Sequence, residues 1–253
     1  MGLFQPPSST PYDLRFSIVG IPVRVHPVFW VISLLFGFYA GSIEQILIWV
    51  VVVFVSILIH ELGHSLAMRF YGTDSYIVLH GMGGLAIPTT ARRGGGQWGN
   101  STPDWVRGVL ISLAGPFAGF LLASLVVAGV ALSGGVVFVD WIWGFIPFPI
   151  AFLMDGSAIM NSVISTMLWV NVFWGLINLL PVFPLDGGQV SRYLFVRFDP
   201  WDGVKKSLLL SVIAGGAIAI TGFVLLKSIY MGFLFGLLAY QSYQAYDGRG
   251  RLF

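Results

Sequence analysis

The stretch that most constrains this chain is an apolar run that ends in three ionisable side chains. Residues 50–59 are almost all Val, Ile, Leu and Phe, and His60, Glu61 and His64 follow directly. An ionisable group inside an apolar membrane span is costly and usually marks function. We therefore predict a membrane helix that carries the chemistry of the protein near its C-terminal end.

The spacing of these three residues predicts a metal site. On a helix, His60 and His64 lie one turn apart on the same face, so both imidazoles can bind one ion. Glu61 then stands beside the ion, where it can take a proton from water, as in the H-E-x-x-H pattern of zinc hydrolases. The alternative is a His/Glu cluster without metal, but each buried polar group would then need a partner of its own.

The composition indicates that the rest of the chain is also built for a bilayer. Of 253 residues, 57% are hydrophobic and only 9% are charged, which is typical of a multi-pass membrane protein. We expect a single domain over residues 1–253, with no cleavable signal and no separate soluble domain. The net charge of +2 gives no case for nucleic acid, and the lack of cysteine excludes disulfides and thiolate ligands.

The predicted fold is all-α, with about six transmembrane helices and a small β-hairpin or sheet after the second span. The three core spans are expected at about residues 45–71, 105–132 and 158–188, and the other three at 27–40, 207–226 and 228–246. The segments between them are read as a short strand or interfacial segment (16–25), a β-hairpin or sheet followed by a mobile loop (72–102), an interfacial loop or re-entrant cap (133–157) and a basic polar stretch (189–206).

The basic residues predict the orientation of these spans. With both termini inside, every one of the 13 Lys and Arg residues except Lys227 falls on one side of the membrane. This positive-inside asymmetry puts the termini, the H-E-x-x-H motif and Asp186 toward the cytoplasm.

Asp186 is the best candidate for a third protein ligand. It follows the fourth apolar stretch in Asn178-Leu-Leu-Pro-Val-Phe-Pro-Leu-Asp186-Gly-Gly, where two prolines prevent regular helix and the glycines permit close backbone approach. A Pro-rich helix end capped by Asp-Gly is the plain structural alternative. Catalytic zinc usually has three protein ligands, and no other acid competes for this role.

The chain resembles the site-2 protease family of intramembrane zinc metalloproteases. The resemblance rests on HELGH (60–64), GMGGL (81–85), SLAGP (112–116) and NLLPVFPLDGG (178–188). It implies one zinc ion bound by His60, His64 and Asp186, with Glu61 activating water and Asn178 holding substrate backbone or the developing oxyanion. Unlike many relatives, the chain shows no inserted PDZ domain and no C-terminal CBS pair, which leaves substrate selection and regulation open.

From this resemblance we expect hydrolysis of peptide bonds within or near the transmembrane helix of a single-span substrate. The expected location is a prokaryotic inner membrane, and the oligomeric state is open. The alternative function is a six-helix transporter or ion-binding protein that uses the His/Glu/Asp cluster. His26 and His80 remain as either functional or ordinary structural residues.

Overall fold

The computed structural model describes residues 6–38, 41–92, 102–142, 144 and 146–248. Within these residues the fold is mostly helical, with small β-sheets. The helices are α1 (Pro27–Gly37), α2 (Ile43–Phe70), α3 (Asp104–Leu132), α4 (Ala158–Asn178), α5 (Asp186–Phe198), α6 (Gly203–Val224) and α7 (Ile229–Tyr246). The strands are β1 (Leu14–Ile18), β2 (Ile21–Val25), β3 (Thr73–His80), β4 (Gly83–Arg92), β5 (Val136–Ile142) and β6 (Ile146–Phe152).

Four helices in the described part of the chain are long and apolar enough to cross a membrane. These are α2, α3, α4 and α6. Helix α1 has only 11 residues, so it reaches about 16 Å, roughly half of a hydrocarbon core. Helix α7 has 18 residues but includes Gln and several Tyr. The structure therefore supports four spans directly, and the predicted number of six stays a prediction.

The predicted strands form one sheet of order β1-β2-β3-β4. Strands β3 and β4 are antiparallel and form a β-hairpin, which confirms the hairpin expected after the second span. Strands β1 and β2 form a second hairpin in place of one short segment, and β2 pairs with β3 in parallel. The buried face of this sheet packs on α1 and α2 through Ile21, Val25, Phe29, Ile57 and Leu79.

Two connecting segments differ from the sequence-based expectation. Residues 133–157, expected as an interfacial loop or re-entrant cap, contain the β5–β6 hairpin, because their Val, Ile, Phe and Trp residues on either side of a turn favour strands. The first part of the basic polar stretch 189–206 belongs to helix α5 (Asp186–Phe198). The expected mobile loop falls mainly on residues 93–101, which lie outside the described residues, whereas Ala91 and Arg92 end strand β4.

Small residues bring α2 and α3 into close contact. A Cβ at Gly63 of α2 would overlap the backbone carbonyl of Ala114 and lie 2.8 Å from the Ala118 methyl. Such small residues let membrane helices approach closely. Because Gly63 lies inside the H-E-x-x-H motif, between His60 and His64, this contact sets α3 directly against that part of α2.

Candidate metal centre

Helix α2 brings the two histidines together as their spacing predicts. His60 and His64 are 4% and 8% exposed, and their ring centroids lie 4.9 Å apart. The two Nε2 atoms are 3.2 Å apart. Both imidazoles therefore direct the same nitrogen toward one point.

Asp186 joins the histidines from the other end of the site. Its Oδ2 lies 3.1 Å from Nε2 of His60, and its Oδ1 lies 3.2 Å from Nε2 of His64. The carboxylate is at the first residue of α5, whose N-cap residue makes no side-chain capping bond. A Cβ at Gly187 would overlap the carbonyl of Leu179, so the Gly after Asp186 lets α5 start against the end of α4.

The geometry and donor chemistry of these three residues fit a metal ion. Their ligand atoms all lie within 4.8 Å of one another, and they form the one such group among the residues that the structure describes. The carbonyl of Ile111 lies 2.7 Å from His64 Nδ1. A carbonyl only accepts, so Nδ1 carries a proton and a neutral His64 offers the lone pair of Nε2 to the centre.

Two further observations support this fit. Oδ2 of Asp186 is buried and makes no well-directed hydrogen bond, despite its distance to His60. A Cβ at Gly115 of α3 would overlap Nε2 of His64 and lie 2.8 Å from Nε2 of His60. The space between the imidazoles therefore exists because residue 115 has no side chain. Two imidazoles and a carboxylate are a donor set typical of catalytic zinc.

The side chain of Glu61 extends from α2 toward strand β4. It is 5% exposed, and a Cβ at Gly84 would lie 2.6 Å from its Oε1. The predicted general base therefore lies beside the candidate metal ligands and against β4, the last described strand of the sheet.

The other residues named from the sequence have local partners. Asn178, the last residue of α4, donates from Nδ2 to the carbonyl of Trp174 at 2.9 Å. His26 Nδ1 accepts from Val28 N–H and caps α1. His80 Nδ1 accepts from the N–H of Met82 at 3.3 Å, and burial, with His26 nearby, lowers its pKa. Neither His26 nor His80 belongs to the metal-ligand group.

Several contacts of the centre were not foreseen from the sequence. The sequence shows the motifs that contain Gly84 and Gly115, but it does not show that these glycines contact Glu61 and the two imidazoles. The signal was the position of each Gly inside a strand or helix, where glycine is otherwise unfavourable. The contact of His64 with Ile111 has no sequence signal because any residue supplies a carbonyl.

Apolar helices that carry an H-E-x-x-H motif, together with a carboxylate from a later part of the chain, are the features of a membrane-embedded metallopeptidase. The model of peptidase family M50 matches residues 48–214. The chain therefore belongs to peptidase family M50, and its resemblance to the site-2 proteases is confirmed. Together with its apolar helices, this makes it an integral membrane protein.

Individual relatives agree with this assignment. A zinc metalloprotease of Methanocaldococcus jannaschii is 24% identical over 234 residues, covering 88% of this chain and 59% of the relative. Stage IV sporulation protein FB of Bacillus subtilis is 26% identical, covering 90% of this chain and 67% of the relative. The chain thus spans 59% of the length of the first relative.

The fold is also similar to that of a solved site-2 protease from Methanocaldococcus jannaschii. The TM-score is 0.54 at 23% identity, with 96% of this chain and 97% of the other covered. This likeness supports the fold of the described helices and sheets.

Proposed function

We propose that this protein is a zinc-dependent intramembrane endopeptidase that cleaves peptide bonds within or near transmembrane helices. The observation that carries the proposal is that the ligand atoms of His60, His64 and Asp186 lie within 4.8 Å of one another. The two histidines, with Glu61 beside them, are on α2, which is long enough to cross the bilayer. Membership of peptidase family M50 and the printed name of the first relative, a zinc metalloprotease, support it.

The proposed ligands of one zinc ion are His60, His64 and Asp186. When bound there, zinc supplies Lewis acidity that activates water and polarises a peptide carbonyl. The carbonyl of Ile111, 2.7 Å from His64 Nδ1, holds that imidazole in the orientation and tautomer that leave Nε2 free. Such outer contacts fix the ring and raise the basicity of the ligand.

Glu61 is proposed as the general base and then the general acid. It takes a proton from the attacking water and delivers one to the leaving amine. The close approach of Gly84 holds the carboxylate against β4. Asn178 uses one amide hydrogen within α4, and its second is available for substrate backbone or the developing oxyanion.

The outer edge of β4 is the proposed docking site for the substrate backbone. A helical substrate hides its carbonyls in hydrogen bonds, so it must be extended before attack. Within the strand-forming segment 75–87, the residues from Gly83 onward belong to β4 and can add the substrate as a further strand of the sheet. The contact of Glu61 with Gly84 supports this proposal, because it sets the proposed general base next to β4.

We propose a single domain over residues 1–253 with six spans, including α1 and α7, and core spans at about 45–71, 105–132 and 158–188. The termini and the centre face the cytoplasm of a prokaryotic inner membrane, because nearly all Lys and Arg residues then lie inside. The proposed partners are a single-span membrane protein as substrate and the surrounding lipid.

The experiment that tests this function is cleavage of co-expressed single-span proteins by the wild type and by Glu61→Gln. The variant is expected to retain zinc but to lose cleavage about 10²- to 10⁴-fold, because proton transfer is removed while the ligands stay. Full cleavage by Glu61→Gln would refute the role of Glu61. Ion flux in proteoliposomes without cleavage of any tested protein would favour a transporter.

A further inference from the structure

The β5–β6 hairpin runs alongside two spanning helices instead of projecting from their ends. The ring of Phe148 in β6 lies 5.7 Å from that of Phe173 in α4. Phe173 is about four turns, or about 22 Å, beyond the first residue of α4. Ala151 of β6 is buried in the core cluster that includes Val130 of α3 and Leu168 of α4. The hairpin therefore lies at bilayer depth.

The two edges of this hairpin differ. Val139 pairs with Pro149 and Trp141 with Pro147. Antiparallel pairs alternate between hydrogen-bonded and non-hydrogen-bonded, and proline has no N–H to donate. The N–H groups of Val139 and Trp141 therefore point away from β6. In agreement, Trp141 N–H donates to Oδ1 of Asp140 at 2.8 Å.

The outer edge of β5 thus carries backbone groups that need a partner. By the same alternation, the N–H and C=O groups of Val137 and Val139 point outward, and this sheet has only two described strands. Prolines remove donors from the outer edge of β6, but β5 has no Pro, no Lys and no bulge. An open strand edge is not tolerated in hydrocarbon unless protein or water covers it.

We propose that β5 of one molecule pairs with β5 of a second copy, antiparallel, about a two-fold axis at Phe138. In this register Val137 of each copy faces Val139 of the other. All the outward N–H and C=O groups of these residues then pair within the dimer. A two-fold interface of this kind uses the same edge on both copies and closes on itself.

The charge and the side chains of β5 are compatible with a second copy of the chain at its edge. Asp140 is the only charged residue in either strand, and an axis at Phe138 keeps the two Asp140 residues about 13 Å apart. Val137, Val139 and Trp141 are 38%, 55% and 58% exposed and share one face of β5, so each copy offers an apolar face beside the edge that pairs, with Asp140 on the opposite face. An extended segment of a substrate could also pair there, but nothing at this edge connects it to Glu61.

The area that these strands bury is small compared with the roughly 1,200 Å² of a stable interface in water. The pairing therefore depends on backbone hydrogen bonds, which are favoured where water is absent. We expect the dimer to form in membranes and to weaken in detergent, so the test uses native membranes.

The test is a cysteine scan, which is direct because the chain contains no cysteine. In the proposed register, residue 138 meets its own copy at a Cα distance of about 4.5 Å, within disulfide range. Residues 136 and 140 meet their own copies about 13 Å apart, which is too far. After diamide oxidation, Phe138→Cys is expected to form at least about 10-fold more dimer than Val136→Cys or Asp140→Cys. Leu125→Cys, at an exposed site on α3, is the collision control.

A second variant tests the backbone bonds themselves. In the Phe138→Cys chain, Val139→Pro removes one outward N–H and keeps the pair with β6, where position 149 is already Pro. We expect at least about 10-fold less crosslink, whereas Val139→Ala leaves it unchanged. Single-molecule photobleaching in membranes, without cysteines, is expected to show two steps for the wild type and one step for Val139→Pro.

Several results would overturn the proposal. They are uniform crosslinking across the scan, a maximum away from residue 138, crosslinks only to a different protein, or single-step photobleaching of the wild type. The outcome does not depend on the proposed proteolysis, because Glu61→Gln is expected to crosslink at 138 as the wild type does.

Discussion

Replacing Gly115 with alanine places a methyl group inside the candidate metal centre. The new Cβ would overlap His64 Nε2 and lie 2.8 Å from His60 Nε2, about 0.7 Å inside the shortest favourable contact of about 3.5 Å. Moving α3 away from α2 would give up the close packing of Gly63 against Ala114 and Ala118. The imidazoles must therefore move away from the point on which they converge.

The magnitude follows from the cost of overpacking. Strain of about 1–3 kcal/mol, carried by the ligands themselves, corresponds to a loss of about 5- to 150-fold in zinc affinity. The matched control is Gly119→Ala, one turn along α3. Its Cβ would lie 3.5 Å from the carbonyl oxygen of Asn171, an ordinary contact. Both variants gain similar helix propensity, up to about 1 kcal/mol, so their difference reports the site.

The assay is zinc affinity in purified protein, measured by competition with a chromophoric chelator and checked by elemental analysis. We expect Gly119→Ala to match the wild type and Gly115→Ala to bind at least about 5-fold more weakly, from the overpacking strain given above. If Gly115→Ala binds zinc as tightly as Gly119→Ala, the reasoning about this space is refuted.

Three further outcomes are expected. Gly84→Ala sets a methyl group 2.6 Å from Oε1 of Glu61, so cleavage should fall at least about 10-fold while zinc content is unchanged; equal cleavage would contradict the role of that contact. Gly216→Ala, in open space on α6, should be neutral or stabilise by up to about 1 kcal/mol, and a clear loss of stability would show a hidden contact. Ser56→Ala removes the acceptor 2.9 Å from Asn171 Nδ2, which should lower the unfolding free energy by about 1 kcal/mol in denaturant titrations; an unchanged midpoint would mean that this bond contributes nothing.

The convergence of the candidate ligands was predictable to different degrees. His60 and His64 follow from helical periodicity alone, because residues four apart on a helix share one face. Asp186 was harder to predict, since its position depends on how the chain turns between Asn178 and α5. The prolines and glycines there predicted an irregular turn with close backbone approach, and the structure has both.

The sheet and the hairpin were less predictable. Strand signals at residues 16–25 and 75–87 identified strands, but the parallel pair of β2 and β3 joins segments separated by two helices. Such pairing depends on tertiary packing, which local propensity does not report. The sequence of residues 133–157 predicts only an interfacial loop or re-entrant cap, because its apolar run could belong to any buried or interfacial element.

The sequence predicts where a glycine permits a close contact, but not which group makes that contact. A Gly inside α3 or β4 indicates that something approaches closely. The partners of Gly115 and Gly84 are a pair of imidazoles and a carboxylate from α2, and these follow only when three elements are assembled. Sequence motifs therefore identified the residues of the centre, while the space between them required the structure.

The most direct test of the account is X-ray absorption at the zinc edge, on the wild type and on Asp186→Ala. The wild type is predicted to show one zinc with two imidazole nitrogens and one carboxylate oxygen among its ligands, at about 2.0–2.2 Å. Asp186→Ala is predicted to keep the imidazole signature and lose one protein oxygen, with lower zinc content. Stoichiometric zinc without imidazole scattering, or an unchanged spectrum and zinc affinity in Asp186→Ala, would contradict a centre built from His60, His64 and Asp186.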